Sequence, residues 1–318
     1  YKWFSLRRLH LGDADAGFSG AEMGTFAHRV LEVLHTQLAE EGFNVHEEAG
    51  LARAHELLNL EFCDHLRHQY LLASASRSQP QALIPHTSQQ LGRLNGLKND
   101  LDSLLDYEAD LLSGFKPCLF EWGFGRKDDV VSYAGARLVG SIDRVDVDEH
   151  GLAVVIDYKH MGGLATDFTK EYDVFPKGGR DAKDAFVLPR RVQSLIYAQV
   201  MRRAHPELKI VGALYLCTRS SHEIAGAIDG ECIERIFAQK SPTSQRLKKI
   251  CVSRDDDFGL SSTTQPLCGM PALLDACEEA IATRIESMCA GDIEANPTAP
   301  DACKYCPVLN CEKRLIKK

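Results

Sequence analysis

The sequence predicts an α/β protein with a mixed central sheet, a helical amino-terminal region and a cysteine-rich carboxyl end. Two observations carry that reading. Apolar residues recur at helical spacing through most of the first 115 positions, and beyond them short β-branched runs are interleaved with a helical segment. Two of those runs are joined by a short polar turn, which makes them an antiparallel hairpin and excludes an all-parallel arrangement. We expect one domain over 1–318, with a mainly helical part (1–115), a core (116–230) and a helical, cysteine-rich part (231–318).

The elements follow in order. Met23, Phe26, Val30, Leu31, Leu34 and Leu38 share a helical face, as do Leu57, Leu58, Phe62, Leu66 and Tyr70, so Gly20 to Leu112 reads mainly as helix. A polar stretch from Ser74 to Gln90, with Pro80 and Pro85, interrupts it. Lys116 to Phe124 is strand-like. Ala136 to Val147 and Gly151 to Lys159 are the two strands of the hairpin, with Asp148-Glu149-His150-Gly151 as its turn. From His160 to Val187 the chain is polar and rich in Gly and Lys, which predicts an irregular loop or lid directly after the second strand. A helix then runs from Pro189 to Ala204, followed by strands at Ile210 to Cys217 and Glu223 to Ile228, and by a helix near Pro271 to Met288. No internal repeat is present.

With 318 residues and 44% apolar composition, the chain can bury one large core or two modest ones. No apolar stretch reaches the roughly 18 residues of a membrane span, so no membrane partner is expected. The first residue, Tyr1, predicts a fragment of a longer polypeptide. A net charge of -8 argues against a general nucleic-acid coat protein but leaves local basic pairs such as Arg190-Arg191, Arg202-Arg203 and Lys248-Lys249, and the tail from Lys313 to Lys318, to meet a phosphate backbone. Eleven cysteines, an odd number without dense even spacing, predict a reducing cytoplasm, with Cys63, Cys217, Cys232, Cys251 and Cys277 as small buried apolar residues.

The chemistry lies in the hairpin. Strand alternation puts Asp157 and Lys159 on one face and Tyr158 on the other. A turn centred near His150 sets Asp143 opposite Asp157, with Cβ atoms roughly 5 Å apart. Two carboxylates that close repel unless a cation neutralises them, and Mg²⁺ or Mn²⁺ suits oxygen ligands. Lys159 is then placed to orient a water or stabilise developing charge. A structural Asp-Lys salt bridge accounts for D-x-K equally well. Gln193 and Tyr197, four apart on a helix, and His28 within another are also compatible with ordinary packing.

Taken in order, GTxxHRxLE, G-x-I-D-R-x-D, V-I-D-Y-K and Q-x-x-x-Y resemble the RecB-type branch of the PD-(D/E)xK nucleases, and within it the nuclease domain of AddB-type helicase-nuclease subunits. The resemblance implies a restriction-endonuclease-like fold and a metal-dependent deoxyribonuclease, an exonuclease module working with a helicase in double-strand-break repair. It implies His28, Asp143, Asp157 and the backbone carbonyl of Tyr158 as metal ligands, Lys159 as the catalytic lysine, and Gln193 and Tyr197 as DNA-positioning residues. Glu121 is an auxiliary carboxylate or a salt-bridge partner. A noncatalytic DNA-end-binding domain and a stand-alone CRISPR-adaptation-type nuclease are the alternatives.

Cys303, Cys306 and Cys311 gather three thiols within nine residues, which suits Zn²⁺ or an iron-sulfur cluster. Both usually need a fourth ligand. The resemblance implies a [4Fe-4S] cluster whose fourth cysteine precedes an aromatic stretch similar to Tyr1-Lys2-Trp3-Phe4. Cys63 or Cys118 could serve instead if the fold brings it close.

Overall fold

The computed structural model describes residues 18–75, 83–126, 130–161, 165–174, 187–219, 222–229, 232, 235, 251–252, 269–292, 294–295, 303 and 311–313. Three helices open it: α1 (Gly20–Glu40), α2 (Glu48–Ala75) and α3 (Ser88–Asp110). Helices α1 and α3 each begin in a capping box. Ser19 Oγ accepts from the Glu22 amide while Glu22 accepts from the Ser19 amide, and Thr87 and Gln90 repeat the arrangement. Such boxes fix where a helix starts, and therefore which residues face the core.

After β1 (Phe115–Phe124) come a small ribbon of β2 (Val131–Tyr133) and β3 (Ala136–Leu138), then the hairpin of β4 (Gly140–Asp148) and β5 (Leu152–Lys159). Short helix α4 (Ala165–Glu171), helix α5 (Gln193–Ala204), strands β6 (Lys209–Cys217), β7 (Ile224–Asp229) and β8 (Cys251–Val252), and helix α6 (Gly269–Cys289) follow. The main sheet has the order β1-β4-β5-β6-β7-β8. Its β5–β6 and β7–β8 pairs are parallel and its other pairs antiparallel, so the sheet is mixed, as the sequence predicts.

The sheet separates two apolar cores. On one face Val154, Ile156 and Tyr158 of β5 pack with Phe26, Val30, Leu34, Leu57, Leu101 and Leu105 of the three amino-terminal helices. On the other, Ala153 and Val155 pack with Phe168 of α4, Leu195 and Met201 of α5, and Leu273 and Cys277 of α6. Strand β5 is buried on both faces, which is why its sequence is a continuous apolar run rather than an alternating one.

The expected strand from Ala136 to Val147 is divided. Its first part pairs with β2 in the ribbon and its second with β1 and β5. Two glycines make the corner: a Cβ on Gly140 would stand 2.6 Å from Phe124 Cζ, and a Cβ on Gly125, at φ +73°, would collide with the Leu138 carbonyl oxygen. The segment after His160 holds a seven-residue helix, α4, where the sequence suggested irregular chain, because Phe168 docks into the second core. Lys177 to Arg180 lie outside the described residues. Cys63 is exposed rather than buried; it follows Phe62, a buried residue of the α2 stripe, and turns to solvent. Cys217, Cys232 and Cys277 are buried. No helix among the described residues is long and apolar enough to cross a membrane.

Candidate active site

The hairpin turn fixes the register on which the site depends. Asp148 Oδ1 accepts from the amides of His150 and Leu152, and Gly151 takes φ +77°. The β4–β5 ladder then runs to Arg144 opposite Ile156, and one residue further Asp143 comes across Asp157. There the side chain replaces the ladder, with Asp143 Oδ2 accepting from the Tyr158 amide at 2.8 Å. On the other side of β4, Glu121 falls across Asp143, between the pairs Phe120–Arg144 and Trp122–Ile142. Three carboxylates from three adjacent strands therefore form one row. Glu121 has φ +43°, a left-handed conformation that costs a non-glycine residue about 1–3 kcal/mol and recurs at functional sites.

Helix α1 brings His28 to this row. Its Nδ1 lies 3.4 Å from Asp143 Oδ2, and its ring stands edge-on to Tyr158 with centroids 6.1 Å apart. Gly24, one turn earlier, faces the end of β5, where a Cβ would make an ordinary contact with His160 Cβ at 3.4 Å. Among the described residues, the His, Cys, Asp or Glu group whose ligand atoms all lie within 4.8 Å of one another is His28, Glu121 and Asp143. Glu121, at most an auxiliary group in the sequence, is thus close to both, and Asp157 lies outside that trio. Ser141 Oγ donates to Glu121 at 2.9 Å.

Asp157 is fully buried. Its Oδ1 has no hydrogen-bond partner among the described residues, whereas Oδ2 is met by the Lys159 ammonium. Burial, reinforced by the charge of Asp143, pushes its pKa up to about 7 despite Lys159 and His28. Burial also raises Glu121, which feels Asp143 as well and is only partly relieved by Ser141. His28 moves above its ordinary value because Asp143 and Asp157 outweigh its own desolvation. A buried carboxylate that a single lysine only partly neutralises, across from a second carboxylate and near an imidazole, has the donor chemistry of a hard divalent cation site. Mg²⁺ or Mn²⁺ fits these residues.

The lysine is held from the other side. Lys159 Nζ donates to Gln193 Oε1 at 3.1 Å, and Gln193 Nε2 donates to the Tyr197 hydroxyl at 2.7 Å. Gln193 is the first residue of α5 and Tyr197 lies one turn on, so a single helix face delivers both. Together with Arg190, Arg191 and Tyr172 they line a cleft of about 570 Å³ that reaches Lys159. Arg190 and Arg191 pair with Glu171, and Arg191 lies over the Tyr172 ring, 5.7 Å from its centroid. A second cavity, about 510 Å³, opens beside His28 and Glu121 and includes Arg29 and Arg126. Arg202 and Arg203 instead bond Asp275 and Glu278 of α6; their work is to pack two helices. Lys248 and Lys249 lie outside the described residues.

Behind the carboxylate row, on the opposite face of the sheet, is a polar cluster that the sequence reading missed. Arg144 is bidentate to Asp146 at 2.6 and 2.7 Å and donates to Glu108 and to the Tyr158 hydroxyl, each at 2.8 Å. The Tyr158 hydroxyl donates to Glu108 at 2.7 Å, and His35 Nε2 lies 3.1 Å from Glu108. All five side chains are buried. The Arg144 and His35 charges and the hydrogen bonds overcome Glu108's desolvation and hold its carboxyl well below the usual range. One signal was available: Arg144 and Asp146 are two apart on a strand, hence on the same face.

Cys303 and Cys311 are half-buried, whereas Cys306 and the stretch from Tyr1 to Phe4 lie outside the described residues. The alternative ligands Cys63 and Cys118 are both exposed.

A family model described as PD-(D/E)XK nuclease superfamily matches residues 1–311. A search of curated proteins found no match.

Proposed function

Because the chain belongs to the PD-(D/E)XK nuclease superfamily, we propose that it is a metal-dependent deoxyribonuclease whose active site is the carboxylate row at the end of the β4–β5 hairpin. The observation that carries this reading is Asp157, fully buried with one oxygen met by the Lys159 ammonium and the other without a hydrogen-bond partner among the described residues, and across from Asp143 beside His28. His28, Asp143, Asp157 and the Tyr158 carbonyl would hold Mg²⁺ or Mn²⁺, with Glu121 as a further carboxylate. When bound, such an ion polarises a phosphodiester and makes water more acidic.

The remaining tasks belong to the side chains. Lys159 places an ammonium at the carboxylate row, where it orients a water for in-line attack and offsets charge developing on phosphate oxygens. Gln193 fixes the direction of that ammonium, and Tyr197 fixes Gln193. Arg190 and Arg191 supply positive charge along the cleft for the DNA backbone, and Tyr172 offers a ring on which a base can stack. At the finer level the protein is an AddB-like exonuclease module, cytoplasmic, partnered by a helicase in double-strand-break repair, with a [4Fe-4S] cluster on Cys303, Cys306, Cys311 and a further cysteine.

The test is cleavage of end-labelled single- and double-stranded DNA with Mg²⁺, Mn²⁺ or EDTA. The wild type should cut only with metal, Asp157→Ala should not cut, and Lys159→Ala should be strongly impaired. Metal-dependent cleavage that survives both substitutions would place the activity elsewhere.

A further inference from the structure

We propose that the buried cluster of Arg144, Glu108, Tyr158, Asp146 and His35 is the positioning device of the metal site, setting the ligand geometry from the far face of the sheet. This rests on the reading of the carboxylate row as a metal site. Strand alternation links the two faces. Each strand-borne member of the row has its neighbour in or against the cluster: Phe120 beside Glu121, Arg144 beside Asp143, and Tyr158 beside Asp157. The Phe120 ring stacks on His35 with centroids 5.8 Å apart and planes 3° from parallel. His35 follows His28 by seven residues, two helical turns, so the two rings lie on one stripe of α1.

Locking the cluster therefore locks four things at once. These are the depth of β1, the register of β4 against β5, the position of the Tyr158 amide that bonds Asp143, and the rotation of α1 that aims His28. Glu108, reaching from α3, is the common acceptor. One of its oxygens takes the Tyr158 hydroxyl, and the other takes Arg144 and faces His35.

Stability alone does not explain such a cluster. Burying a guanidinium and two carboxylates is expensive, and apolar side chains of similar volume often serve a fold as well or better. What a fully bonded polar cluster adds is directionality, since it admits one arrangement of its members where an apolar core tolerates several. Partners that orient metal ligands in this indirect way typically change metal affinity by about 10–100-fold when removed.

The experiment is Mn²⁺ titration of the metal-free protein, followed by electron paramagnetic resonance of the free ion and paired with thermal unfolding. The variants are Tyr158→Phe, Tyr133→Phe and Asp157→Ala. Tyr133 is a buried tyrosine outside the cluster whose hydroxyl points to Cys277, so it controls for simple loss of a buried hydroxyl. We expect Tyr158→Phe to weaken Mn²⁺ binding about tenfold or more, while Tyr133→Phe binds Mn²⁺ like the wild type whatever its change in melting temperature. Affinity within twofold of wild type in Tyr158→Phe overturns the inference and leaves the metal site standing, provided that Asp157→Ala abolishes binding. If the wild type binds no Mn²⁺, or Asp157→Ala binds as well as wild type, the metal reading and this inference fall together. Should Tyr158→Phe fail to fold, His35→Gln and His35→Leu replace it. Gln carries an amide near the Nε2 position and should retain the affinity, whereas Leu should lose it; equal affinities would overturn the inference.

Discussion

At the scale of the residue, Asp157 ties stability to metal binding. Burial and the charge of Asp143 push the pKa of its carboxyl up to about 7 in the folded chain, against about 3.9 in an unfolded chain. Between those values the folded state keeps a proton that the unfolded state has lost, so this group favours the fold fully below the unfolded pKa, and its contribution is lost as pH rises to about 7. Metal-free wild type should therefore unfold at a lower temperature at pH 8 than at pH 5. Asp157→Asn, which cannot ionise, should remove most of that difference, and Mn²⁺ at pH 8 should stabilise the wild type but not the variant. Calorimetry at the two pH values checks this, and a wild type equally stable at both would contradict it. Lys159 makes a separate prediction, since it acts on the reacting groups rather than as a ligand. Lys159→Ala should cut single-turnover cleavage by about 10²–10⁴-fold while Mn²⁺ still binds. Gln193→Ala, which only loosens the lysine, should have a smaller effect in the same direction.

At the scale of the element, α1 matters because it carries both His28 and His35. Its capping box should make Ser19→Ala cost about 1 kcal/mol, read from the urea midpoint, with Ser19→Asp close to wild type because it keeps an acceptor for the Glu22 amide. A substitution without effect would mean that tertiary packing alone sets the start of the helix. The same elements mark how far the sequence can be read. Apolar spacing located α1 and α2, whose stripes are long enough to express their period, and helices were also expected across α3, α5 and α6. The hairpin register was legible too, since a short turn leaves little freedom in which residues oppose each other. The ribbon of β2 and β3 was not, as each strand has three residues, too few to show a period. Glu108 was not legible either. It lies 50 residues from Tyr158, in a helix whose other acidic residues are at least partly exposed, and only the packing of α3 onto the sheet distinguishes it from Asp106 or Asp110. Glu121 was legible only as an auxiliary carboxylate or a salt-bridge partner. Its place in the row depends on a left-handed backbone in mid-strand, which no residue-type preference announces.

At the scale of the whole molecule, the sheet divides labour between its faces. The amino-terminal helices cover one face and carry the buried polar cluster, while α4, α5 and α6 cover the other and present the cleft with Lys159, Gln193 and Tyr197. The charge of -8 opposes a polyanion at long range, so attraction must come from the few cations that face the cleft. Arg190 and Arg191 are the cleft's arginines, and their surface pairs with Glu171 are each worth no more than about 1 kcal/mol. Replacing both with alanine should therefore leave the melting temperature nearly unchanged. It should weaken binding of single-stranded DNA and make that binding less sensitive to salt, by about 0.7 in the log-log slope for each phosphate that is no longer neutralised. Fluorescence anisotropy with EDTA present, so that nothing is cut, separates this from catalysis. A parallel loss of affinity with an unchanged salt slope would mean that the arginines shape the cleft through Tyr172 and Glu171 rather than meeting the backbone. An unchanged affinity would move the DNA path to the cavity beside His28, where Arg29 and Arg126 are the cations.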